Sequence, residues 1–304
     1  MAETDAPTRP RHIGQLLDSE LMAQLDALDV LSRKVLQGKL QGERLSKRRG
    51  HGAEFTDHRP YAVGDDLRFI DWHIFSRLEQ LFIKVFLEEQ DLTVHLMLDI
   101  SASMATGEPS KDLAARRLCA ALAYVGLVNN SRVTVSLFAD GVVRQMANLR
   151  GRLYVPRLAE LLLTTDAGGA GDLDKVARAA VANRVGSGIC VLISDMLHKG
   201  GYDEALRRLI GARYELYVLQ VLSPQELTPD LAGDLKLTDV EDGDTAEITA
   251  SRTLLDYYEK AVRAYCNELR DFCTARGATY MLTPSATPTQ RLMLDYLRRK
   301  GLVG

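Results

Sequence analysis

The sequence is poor in the features that mark several common protein classes. Its four cysteines are Cys119, Cys190, Cys266 and Cys273, and no two of them form a C-x-x-C pair. Cys119 and Cys190 lie inside apolar runs and read as small core residues. Neither a zinc framework nor a disulfide framework is predicted, which fits a reducing compartment. No apolar run approaches the roughly 18 residues of a spanning helix, and no apolar stretch of the export-signal kind follows the first residues. The expectation is a cytoplasmic protein with no membrane span. Neither sign of charge dominates, with 38 Lys and Arg against 41 Asp and Glu. The basic clusters are short and not interleaved with aromatics, which argues against nucleic acid as a partner. The patterns G-x-S-x-G, H-E-x-x-H, Walker A and G-x-G-x-x-G are all missing, and no internal repeat stands out.

What is present is enough apolar material for a substantial core: 46% of 304 residues. That length suits one large domain or one domain with a smaller module. The organising stretch is Thr93-Val94-His95-Leu96-Met97-Leu98-Asp99-Ile100-Ser101-Ala102-Ser103-Met104. Its first half is a short apolar run that reads as a buried strand. Its second half is D-x-S-x-S, which puts a carboxylate and two hydroxyls at the strand's carboxyl end. In an open α/β sheet that end is where ligands bind, and three oxygen donors on one loop suit a hard cation such as Mg²⁺. The plainer alternative is that Ser101 and Ser103 cap a turn while backbone N–H groups satisfy Asp99.

Further strands are predicted at 81–87, 132–138, 142–146, 188–195, 214–222 and 279–282. Helices are predicted at 20–37, 110–129, 155–163, 173–184, 203–212, 252–276 and 289–300. A small hairpin is expected within 235–249, around Gly243. Alternation of strands and helices predicts an α/β fold, a mostly parallel doubly wound sheet with helices on both faces, plus an N-terminal helix and a β-containing extension. The expected layout is a loose tail over 1–12, an N-terminal region over 13–90 packed on the sheet, and the sheet domain over 91–304. Residues 41–89 show no clean period. There Arg59, Asp65, Asp66, Arg68 and Asp71 are expected to pair in polar networks, with Phe55, Tyr61, Phe69 and Trp72 among them.

The D-x-S-x-S motif resembles the metal-ion-dependent adhesion site of von Willebrand factor type A domains. A second block is similar to the signature of the bacterial family called domain of unknown function 58. It consists of Gly42 and Ser46, Arg48 through Phe55, Arg59 through Trp72, and Lys84, Phe86 and Glu89. The two resemblances imply a von Willebrand factor A-like fold and a partnership with a MoxR-type AAA+ ATPase in chaperone-like assembly. The family's own activity is undefined. For the metal site they imply Asp99, Ser101 and Ser103 on the first loop and Asp195 after a later strand. The usual threonine of the second loop aligns with Gly171, which carries no oxygen. Asp172 is the substitute ligand the sequence offers, with Thr164 and Thr165 as others. Such a site leaves one metal position open for a partner's carboxylate, so a non-catalytic binding protein is expected. The rivals are a metal-dependent hydrolase or phosphatase using Asp99, although that class wants an aspartate where Ser101 stands, and a metal-independent interaction protein with a degenerate site that binds through the Arg59 to Trp72 block. His198 is the one histidine near Asp195 and reads more readily as a capping residue than as a base.

Overall fold

Strand β3 (Thr93–Asp99) is buried on both faces, because its alternate residues feed two separate cores. Val94, Leu96 and Leu98 enter one apolar cluster and Met97 the other. The same alternation recurs in β6 (Gly188–Ser194) and β7 (Glu215–Leu222), as expected of parallel strands covered on both sides. A computed structural model describes residues 10, 12–30, 54–87, 92–183, 188–212, 214–241 and 243–304.

In chain order, the short helices α1 (Ile13–Leu16) and α2 (Ser19–Leu25) come first. Strands β1 (Glu54–Pro60) and β2 (Phe82–Leu87) flank helix α3 (Trp72–Leu78). After β3 come α4 (Lys111–Val128), β4 (Arg132–Phe138), β5 (Val142–Leu149), α5 (Val155–Thr164) and α6 (Leu173–Ala182). Beyond β6 lie α7 (Asp203–Gly211), β7, the short α8 (Pro224–Leu227), and the hairpin β8 (Gly233–Thr238) and β9 (Thr245–Ala250). The long α9 (Arg252–Ala275), β10 (Thr279–Pro284) and α10 (Thr289–Arg291) complete the series.

The main sheet has six strands in the order β10-β7-β6-β3-β4-β5, all parallel except the β4–β5 pair. This agrees with the predicted mixed α/β fold and its mostly parallel sheet. The core around Val94, Leu96 and Leu98 takes in α4, α5 and the N-terminal helices, and the opposite core takes in α6, α7 and α9. Each fully buried Leu, Ile or Val side chain in these cores contributes about 1.5–3 kcal/mol of transfer free energy.

The chain groups into two compact units, Met1–Arg33 with Leu92–Gly304 and, apart from it, Lys34–Asp91. Strand β2 belongs to the smaller unit. It pairs antiparallel with β1 in a sheet of its own. Within that smaller unit the predicted polar pairs form. Arg59 forks onto Asp65 at 2.7 Å from each outer nitrogen, and Arg68 pairs with Asp66. Asp71 accepts from the His73 and Ile74 amides, so it caps α3, and its other oxygen meets His58 at 2.9 Å and Lys84 at 3.4 Å. Trp72 stays 62% exposed and meets the Phe75 ring edge-on.

The helix expected over 20–37 stops at Leu25, and its residues 31–37 fall outside the described ones. Tertiary bonds override the helical period. Asp26 accepts from the Tyr124 hydroxyl at 2.7 Å, and Asn129 donates to the Leu28 carbonyl. The backbones of Asp29 and Gly304 exchange hydrogen bonds beside a Val30–Val303 bridge. The last predicted helix begins as α10 and continues as a π-helical turn over Leu292–Leu297. The hairpin around Gly243 forms as expected.

Candidate functional site

The strand ends bring the sequence-predicted residues together. Asp99 closes β3, Asp195 follows β6, and β3 and β6 are parallel neighbours. Asp99, Ser101 and Asp195 have no exposed surface. The glycine-rich loop before α6 is stitched to the first loop by backbone bonds, Ala102 N–H to the Gly169 carbonyl and Gly168 N–H to that of Ile100. The position that lacks an oxygen, Gly171, thus belongs to this edge.

Every oxygen of the two aspartates has a donor. Asp99 Oδ1 accepts from the Ser101 amide at 2.9 Å, and Oδ2 accepts from Ser194 Oγ at 2.6 Å with His198 Nε2 at 3.2 Å. Asp195 Oδ1 accepts from the Leu197 amide at 3.1 Å, and its Oδ2 accepts from Lys111 Nζ at 2.9 Å. The same ammonium donates to Glu226 Oε1. Ser101 Oγ and Ser103 Oγ lie 3.0 Å apart and bond to each other. Gln220 Nε2 pins the Asp195 carbonyl from β7, and Tyr280 of β10 holds that amide in turn. Between Asp195 and His198 the chain turns through Met196, whose φ of +61° is a left-handed conformation uncommon for a non-glycine residue.

The charges at the site support one another. Burial alone would raise the Asp99 carboxyl. The hydrogen bond and charge of His198, with the bonds from Ser194 and Ser101, outweigh it and hold Asp99 below the ordinary carboxylate range. Burial alone would lower His198, and the hydrogen bond and charge of Asp99, with the charges of Asp195 and Glu241, raise it instead. Burial likewise opposes the Lys111 ammonium, but the charges and hydrogen bonds of Asp195 and Glu226 hold it above its usual value.

Three participants were not predicted as site residues. Lys111 is fully buried at the first position of α4, where the helix dipole repels a cation. A lysine there, ahead of an apolar helix, was the one signal available. His198 is buried rather than a surface cap. Glu226 belongs to a capping box on α8. Conversely, the proposed substitute ligand Asp172 is an N-cap: its carboxylate accepts from the Lys175 amide at 2.9 Å. Thr164 and Thr165 bond back to carbonyls of α5.

Matching sequences give the family but not the activity. A family model described as "Protein of unknown function DUF58" matches residues 57–268. The chain belongs to this family. Among its DUF58-like relatives, the uncharacterized protein Rv1480 of Mycobacterium tuberculosis is 29% identical over 259 residues, covering 83% of this chain and 81% of that one. An uncharacterized protein of Mycobacterium avium is 38% identical over 79 residues, covering 26% of this chain and 46% of its own. Solved structures similar to this DUF58 chain include the conserved hypothetical protein BatB of Bacteroides thetaiotaomicron. The TM-score is 0.42 at 16% identity, over 68% of this chain and 98% of that one. An aerotolerance-related membrane protein of Bacteroides fragilis gives 0.43 at 16% identity, over 69% and 98%. For this DUF58 chain, among the described residues, no helix is long and apolar enough to cross a membrane.

The cation implied by the adhesion-site resemblance can be tested against these residues. One atom each of Asp99, Asp195 and His198 lies within 4.8 Å of the others, so the cluster has the size of a metal site. Its chemistry does not fit Mg²⁺, which demands near-octahedral oxygen ligands. Asp195 already holds the ammonium, Asp99 already holds His198, and the threonine oxygen is replaced by bare glycine. The residues present do not make an adhesion-type Mg²⁺ site.

Proposed function

We propose that this chain is a non-catalytic protein-binding component of von Willebrand factor A-like type. Its partner is a MoxR-like AAA+ ATPase, engaged at the Asp99 edge in chaperone-like assembly. The observation that carries this reading is the full engagement of the buried carboxylates. Each of the four oxygens of Asp99 and Asp195 meets an internal donor, which supports a structural role for the pair over one as nucleophile or base. The D-x-S-x-S loop at the end of a central strand, with an aspartate after its parallel neighbour, is the arrangement the resemblance implies and supports the same reading. A phosphatase using Asp99 would need that carboxylate exposed to its substrate, and it has no exposed surface.

The test is capture of the ATPase from native lysate by the tagged chain, beside a Leu197→Arg variant. Leu197 is 46% exposed immediately after Met196, so the variant alters the edge without opening the core. The ATPase is expected with the parent chain and not with the variant, at equal helical content by circular dichroism. Equal capture by both would reject the edge as the interface. Phosphatase turnover by the purified chain, lost on Asp99→Asn, would reject the non-catalytic reading.

A further inference from the structure

The misfit to Mg²⁺ has two parts: an ammonium is tethered to one of the two carboxylates, and a ring fills the place of the missing threonine and meets the other. Two fully buried carboxylates, Asp99 and Asp195, end neighbouring strands. Such a pair needs positive charge and donors close by, and an uncompensated buried charge is strongly destabilising. In an adhesion site a divalent ion supplies them. Here Lys111 Nζ sits 2.9 Å from Asp195 Oδ2, with no exposed side-chain surface of its own. Glu226 holds the ammonium from the other side. Its second oxygen accepts from the Ser223 amide at 2.7 Å and from the Ser223 hydroxyl at 3.1 Å, which fixes the carboxylate in place.

The second replacement is steric. A Cβ built on Gly171 would lie 2.1 Å from His198 Nδ1 and 2.3 Å from its Cε1, so the imidazole fills the space a side chain at 171 would take. Gly171 is not at positive φ, so the ring, not the backbone, is what demands glycine there. The far side of that ring presents Nε2 to Asp99 Oδ2. Its Nδ1 is buried without a hydrogen-bond partner against the glycine. Gly171 and His198 are therefore a matched pair: a threonine side chain at position 171 would expel the ring, and without the ring Asp99 Oδ2 would keep only Ser194.

We propose that the Lys111 ammonium and the His198 imidazole are tethered replacements for the divalent cation, so that the Asp99–Asp195 pair is neutralised from within and takes no metal. The edge then has no open coordination position.

The test is a manganese titration of the full chain, followed by the electron paramagnetic resonance signal of free Mn²⁺. Manganese accepts both carboxylate and imidazole ligands, so it gives the cluster every opportunity. The parent chain is expected to leave the free Mn²⁺ signal unchanged at equimolar protein. Lys111→Ala vacates the ammonium and is expected to remove free signal in proportion to protein. Should Lys111→Ala not fold, Lys111→Ala/Glu226→Gln removes one of the two carboxylates left facing the gap and takes its place. Stoichiometric loss of free signal with the parent chain, reversed by Asp99→Asn, would overturn the proposal. So would a folded Lys111 variant that binds no more Mn²⁺ than the parent.

Discussion

Replacing Lys111 by Met tests how much of the fold rests on one ammonium. The substitution keeps an unbranched side chain of similar length and deletes only the charge. Asp195 Oδ2, with no exposed surface, then loses the donor at 2.9 Å and keeps a buried negative charge. Glu226 is 22% exposed at its side chain and can turn toward water, so most of the cost falls on Asp195. Breaking one partner of a buried ion pair costs about 3–5 kcal/mol. At about 2–4 °C per kcal/mol for a unit of this size, the melting temperature falls by about 6–20 °C. The assay is equilibrium urea unfolding at neutral pH, followed by circular dichroism for the parent, Lys111→Met, Asp195→Asn and the double variant. The double variant is expected to be more stable than Lys111→Met, because a neutral amide in place of the Asp195 carboxylate no longer needs the ammonium, with a coupling of about 2 kcal/mol or more. A loss below about 1 kcal/mol for Lys111→Met, or additive single variants, would refute the assignment of Lys111 as the compensating charge.

Three further outcomes follow from other buried groups. Burial pushes the His95 imidazole down to about 4 from its ordinary 6.5, with Nε2 at 2.8 Å from Ser136 Oγ. The unfolded chain takes up that proton first, so stability drops as pH falls from about 6.5 to about 4, by about 3 kcal/mol, and this slope is absent in His95→Gln when both are unfolded in urea across that range. Gly171→Ala is expected to cost about 1–3 kcal/mol through the clash with His198, and nearly nothing in a His198→Ala background; an equal cost in both backgrounds, measured by urea unfolding, would remove the ring as the cause. Ser110→Ala removes the oxygen that accepts from the Leu113 amide at the start of α4, and a loss of about 1 kcal/mol in the same assay is expected.

The carboxylates of the site were legible because strand ends are visible in a sequence. An apolar run that stops at Asp99, and another that stops at Ser194-Asp195, place both groups on one edge once the strands are parallel. Their partners were not legible. Lys111 lies 84 residues before Asp195 and Glu226 lies 115 residues after Lys111, and no periodicity reports a contact at that distance. His198 stands out by its position, but its role depends on the absence of a side chain at Gly171, a fact about space that only packing reveals. The helix expected over 20–37 failed for the same kind of reason. Its apolar spacing is real, yet Leu28 and Val30 are buried outside any helix, held by Asn129 and the Val303 bridge. The pairs Arg59–Asp65 and Arg68–Asp66 were predictable because the partners are close in sequence, whereas the His58 and Lys84 partners of Asp71 were not expected.

Strand β3 is paired along its length with β4 on one side and β6 on the other. Amide protons at Leu96, Met97 and Leu98 can therefore reach deuterated solvent only when the whole sheet comes apart, so their exchange rates will report the global free energy of unfolding. Asp99 is fastened to the last rung of that ladder. Any slow breathing detected at this edge must originate in the loops around Ser101, Gly171 and His198, and deuterium uptake there that outpaces β3 would measure how readily the edge remodels while the sheet stays intact.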